Sequence, residues 1–72
     1  METNLILYFS SGSKPSDAAA KLKRIGFKVC QGKYDFVYEW KKKPSNEDIL
    51  KLGDKVSEAL SETGITFKME TK

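Results

Sequence analysis

Few side chains in this chain can do chemistry, and their types already narrow the choice. There is one cysteine, Cys30, and no histidine. An internal disulfide and a histidine-based metal site are therefore excluded. If Phe27 to Trp40 folds back on itself, Cys30 falls beside Asp35, and a carboxylate neighbour works against a nucleophilic thiolate. Asp35 and Glu39 alternate onto one face of a strand, but nothing around them supplies a pocket or a partner base. No catalytic constellation stands, and neither a cofactor nor a metal is expected.

The cations are more suggestive. From Lys14 to Lys43 there are nine cationic and three anionic residues, whereas Pro44 to Lys72 holds four and six. Lys23, Arg24, Lys41, Lys42 and Lys43 form a candidate anion or nucleic-acid patch if the first helix and the third strand end on the same side. Twelve of the thirteen cations are lysines. Arginine is the usual residue for bidentate phosphate and base contacts, so such binding is expected to be weak and indifferent to sequence. The serine-rich stretch SSGSKPS precedes a helix and lacks the spacing of a nucleotide-binding loop. It is expected to make an ordinary helix entry, with Ser13 or Lys14 as cap and Pro15 in the first turn.

The elements that must position these residues are legible from periodicity. Phe27 to Trp40 reads FKVCQGKYDFVYEW, two β-rich runs around Gly32-Lys33, which predicts a tight hairpin. With Gln31 and Tyr34 flanking the turn, Val29 faces Phe36 and Phe27 faces Tyr38. One face then carries Phe27, Val29, Tyr34, Phe36, Tyr38 and Trp40, and the other Lys28, Cys30, Asp35, Val37 and Glu39. The aromatic stripe resembles a base-stacking platform, but it must cover the helices and reads as core.

Upstream, Asn4 to Ser10 alternates Leu5, Leu7 and Phe9 with Ile6 and Tyr8, a central strand. A helix follows to Ile25, with Ala18, Leu22 and Ile25 on its apolar stripe and Gly26 as its stop. After Pro44, Ser45 and Asp48 resemble a capping box. The second helix, Asn46 to about Thr63, carries Ile49, Leu52, Gly53, Val56, Leu60 and Thr63 at helical spacing, and Gly53 suggests close approach to the sheet. Ile65 to Glu70 is a last strand with Ile65, Phe67 and Met69 inward.

The order is βαββαβ. It predicts one α+β domain over 1–72, a ferredoxin-like sandwich whose four-stranded antiparallel sheet has order 4-1-3-2 and both helices on one face. Acylphosphatases share that fold, but their glycine-rich, arginine-bearing loop is absent here, as is the CxxC of metallochaperones. The uncovered face would display Ile6, Tyr8, Cys30 and Val37, ringed by Lys28, Asp35, Glu39, Lys68 and Glu70. An apolar patch rimmed by both charge signs suits self-association. A chain of 72 residues buries only about 60–65% of its unfolded surface, which leaves little room for an enclosed active site. One cysteine, with no apolar run long enough to span a bilayer and no basic leader, points to the cytoplasm and away from membranes.

The stretch GKYDFVYEW resembles the G-x-YD-hydrophobic motif of the small GYD-domain proteins, and a similar pattern occurs in the ligand-binding domains of leucine-responsive regulators. The resemblance covers Gly32, Tyr34, Asp35, Phe36, Val37, Pro44, Glu47, Asp48, Leu52 and Gly53. The first helix and its link to the hairpin are shorter here, and the second helix runs on past Gly53. Both families are dimeric α/β barrels in which two ferredoxin-like sheets meet by their open faces. The regulator domains bind effectors between subunits, whereas GYD proteins have no clear general activity, so the resemblance implies a homodimer more than it implies a small-molecule ligand at the subunit contact.

Overall fold

The computed structural model describes residues 1–30 and 35–72. The expected hairpin turn at Gly32-Lys33, with Gln31 and Tyr34 beside it, lies outside the described residues. Six elements follow in the order β1 (Glu2–Tyr8), α1 (Pro15–Ile25), β2 (Lys28–Val29), β3 (Phe36–Glu39), α2 (Asn46–Ala59) and β4 (Thr66–Thr71). The strands form one antiparallel sheet of order β2-β3-β1-β4. Read from the other edge, this is the order 4-1-3-2, and the fold is the ferredoxin-like arrangement. Val29 pairs with Phe36 and Lys28 with Val37, the register expected from the apolar pattern. The Phe27 and Tyr38 rings meet edge to face at 5.4 Å.

Each helix is bounded by its own residues. In α1, Pro15 occupies the first turn, Asp17 complements the positive end, and Lys23 and Arg24 the negative end. Lys14 is the N-cap, without a side-chain bond. Gly26 stops the helix at φ 122°, and a Cβ there would lie 3.0 Å from Tyr38 Cε2, so this turn requires glycine twice over. In α2 the capping box is complete: Ser45 Oγ accepts the Asp48 N–H at 3.1 Å, and Asp48 Oδ2 accepts the Ser45 N–H at 3.0 Å. That reciprocal bonding holds the Asp48 carboxyl below the ordinary aspartate range, the Ser45 backbone bond acting first and its hydroxyl second, with Lys51 adding a little.

The second helix ends at Ala59, earlier than the expected Thr63. The Ser61 and Thr63 hydroxyls donate to the carbonyls of Glu58 and Leu60, acceptors that a continuing helix would have used.

Leu5, Leu7, Ala18, Leu22, Phe27, Phe36, Leu52, Val56, Leu60 and Ile65 make the core, with Ile25, Tyr38, Trp40, Phe67 and Met69 packed against it. Three expected core residues lie elsewhere: Ile49, on the first turn of α2, is only half-buried and outside the core cluster, and the other two are exposed. Phe9 is 47% exposed and Val29 60%. Phe9 follows the end of β1, beyond the Tyr8–Thr66 pair that closes the β1–β4 ladder. Val29 lies on the two-residue edge strand β2, where a neighbouring strand covers one side only. The sheet also begins earlier than expected: Thr3, not part of the expected strand, is fully buried on the same side as Leu5 and Leu7. Close approach at Gly53 is met by a side chain, since a Cβ there would lie 3.4 Å from Met69 Cε.

Candidate functional site

Two surfaces collect the residues singled out by chemistry: the open sheet face, and the end of the domain where β3 runs into α2. Pairing of Lys28 with Val37, Val37 with Asn4, and Asn4 with Glu70 sets one row across the open face. Ile6 pairs with Lys68 in the next position along β1, and Tyr8 with Thr66 beyond it on the same face. The apolar residues thus run diagonally, from Val37 through Ile6 to Tyr8. Ile6 and Val37 are half-buried, while Tyr8 is 53% exposed at the strand's end. Between them Asn4 is buried, a feature the alternating apolar pattern does not announce.

The charges on this face pair within the chain. Lys28 Nζ lies 3.6 Å from Glu39, and Lys68 and Lys72 lie 3.4 and 4.0 Å from Glu70. The lysines and Glu39 are well exposed and Glu70 is half-buried, and surface pairs of this kind contribute about 0–1 kcal/mol each. Cys30 is half-buried, and its N–H donates to the Asp35 carbonyl at 3.0 Å.

Asp35 has a structural task. Its N–H donates to Leu5 O at 3.1 Å, and its Oδ2 accepts the Leu7 N–H at 2.7 Å. The side chain thereby extends the β1–β3 ladder past Phe36, supplying from a carboxylate the acceptor that a backbone carbonyl supplies elsewhere in a ladder. Sequence reasoning placed Asp35 correctly beside Cys30 but gave no hint of this bond, which depends on the relative reach of β1 and β3.

The serine-rich loop is also structural. Ser10 Oγ donates to Gly64 O at 2.8 Å and Ser13 Oγ to Thr63 O at 3.0 Å. These bonds latch the entry of α1 to the loop after α2.

At the opposite end of the domain lie two aromatic residues, Tyr38 near the end of β3 and Trp40 just past it. Tyr38 and Trp40 meet edge to face at 4.8 Å. The Trp40 indole N–H donates to Thr3 Oγ1 at 2.7 Å, and Thr3 Oγ1 lies 2.9 Å from Thr71 Oγ1. That chain runs from Trp40, just past the end of β3, to β1 and β4 and fixes the indole. Two grooves flank the aromatic pair. One, of about 490 Å³, is lined by Tyr38 to Pro44 and Asp48; the other, of about 380 Å³, by Gly26, Lys28 and Tyr38 to Lys41. The structure therefore brings Lys28 and Lys41 together and adds Lys42 and Lys43. Lys23 and Arg24 stay exposed on the last turn of α1 and line neither groove.

Among the described residues, no three Cys, Asp or Glu side chains are grouped to hold a metal ion. No helix among them is long and apolar enough to cross a membrane. Comparison with family models, with curated proteins and with solved structures gives no match.

Proposed function

We propose that this chain is a non-catalytic cytoplasmic module that associates with a second copy through its open sheet face. The observation carrying this reading is the diagonal of Val37, Ile6 and Tyr8, an apolar line on a face that neither helix covers. A two-fold axis through that line sets each patch against itself. It also brings Lys28 and Lys68 toward the Glu39 and Glu70 carboxylates of the other copy, exchanging surface intrachain pairs for interchain ones at little cost. The resemblance of GKYDFVYEW to the GYD-domain pattern points the same way. In this reading a small-molecule ligand is held between the two faces and is enclosed only when the second copy arrives. The cytoplasmic location rests on the single cysteine.

The contact is moderate. The strands hold 7, 2, 4 and 6 residues, and at about 3.3 Å per residue and about 4.8 Å between strands they give a face of about 300 Å² before side-chain relief. A stable complex buries about 800 Å² per partner, so a concentration-dependent dimer is expected. Sedimentation should show association at high micromolar protein, and Tyr8→Glu with Val37→Glu should give a folded monomer. A wild-type chain that sediments as a monomer throughout that range refutes the proposal.

A further inference from the structure

The groove around Trp40 has a composition that the open-face reading leaves unused. The larger of the two grooves is lined by Tyr38 and Trp40 together with Lys41, Lys42 and Lys43. Two carboxylates also line it, but both are engaged. Glu39 pairs with Lys28 at 3.6 Å, and Asp48 is held in the capping box with Ser45. Among the described residues, no ion pair involves Lys41, Lys42 or Lys43. Three adjacent cations among the described residues thus stand without an ion-pair partner beside half-buried aromatic rings. The indole is fixed in advance, because its one polar atom is turned inward to Thr3 Oγ1 at 2.7 Å. Its hydrocarbon surface is what remains for the groove, and a ring held before binding loses little freedom on contact.

We propose that this groove binds single-stranded nucleic acid, with a base packed against the Tyr38–Trp40 pair and neighbouring phosphates on Lys41, Lys42 and Lys43. Lysines act as point charges, and stacking accepts any base, so the strand is held without regard to sequence. The site lies on the helix side of the sheet, apart from the Val37–Ile6–Tyr8 diagonal, and does not depend on self-association.

Trp40 is the only tryptophan, so its fluorescence reports directly on the groove. Titration with a single-stranded oligothymidylate should quench that emission. The logarithm of the affinity should fall with the logarithm of salt concentration with a slope of about −2, the release expected for three phosphate contacts on a single strand. Replacing Lys41, Lys42 and Lys43 by Gln should remove most of that slope and lower affinity at least tenfold at low salt. These side chains are exposed, and an unchanged circular dichroism spectrum verifies that the variant is folded. The variant Tyr8→Glu with Val37→Glu should bind the strand as the wild type does. Inorganic polyphosphate supplies charge without bases, and adenosine monophosphate supplies a base without a strand. Either one binding as tightly as the oligonucleotide overturns the proposal, as does strand binding that leaves Trp40 emission unchanged or survives the lysine substitutions.

Discussion

Replacing Asp35 by Ala removes the acceptor of the Leu7 N–H, a bond of 2.7 Å. Leu7 is itself buried, at 6% exposure, so its amide loses an ionised partner in a partly dry setting. Hydrogen bonds to charged groups contribute about 1.5–3 kcal/mol, and stranding a buried donor costs about 1–3 kcal/mol. Asp35 is exposed, and water can reach part of the vacated position, which favours the lower end, about 1.5–2 kcal/mol. For a domain of this size each kcal/mol moves the melting temperature by about 4–8 °C, so the loss should be roughly 6–16 °C. Asp35→Asn keeps an oxygen in place and should recover about half of it. Urea denaturation at dilute, monomeric protein measures the difference, and amide exchange should speed up at Leu7 in the Ala variant. If Asp35→Ala stays within about 0.5 kcal/mol of wild type, as a surface substitution would, the carboxylate does not brace the ladder, and its value lies in the rim of the open face instead.

Phe36→Ala should cost about 3–5 kcal/mol, since Phe36 is buried between Leu5 and Val29 in register; retention of the wild-type melting temperature would show that the side chain does not fill the core. Gly53→Ala should stabilise by about 0.5–1 kcal/mol through helix propensity, because the added Cβ meets only the mobile tip of Met69 at 3.4 Å; a loss of stability would mean that Met69 cannot yield. Ser45→Ala should cost about 1 kcal/mol at neutral pH. The Asp48 carboxyl is lowered in the folded chain, so its contribution is complete above about pH 4 and lost as pH falls below that. Acid unfolding curves of wild type and Asp48→Asn should therefore converge toward low pH, where the carboxylate is protonated, and curves that stay parallel would contradict the capping assignment.

The apolar alternation of Leu5 to Leu7 and of Phe27 to Trp40, and the helical spacing of Ala18 to Leu22 and of Leu52 to Leu60, are local properties. They settled element order, strand parity and the Val29–Phe36 register, because burying one face of a strand selects one pairing and forbids a slip of a single residue. Caps were legible for the same reason: Ser45, Asp48 and Gly26 act on backbone within a turn of themselves. What escaped the sequence depends on residues far apart in the chain. Thr3 is buried because Trp40 and Thr71 bring their donors and acceptors to it across three strands. Asp35 is a brace because β3 stops short of Leu7, and Ser10 and Ser13 are latches because the loop after α2 returns to them. Phe9 and Val29 have the right parity for the core but lie where strand and sheet end. Periodicity tells which way a side chain points, whereas only the packed neighbours decide whether anything is there to meet it.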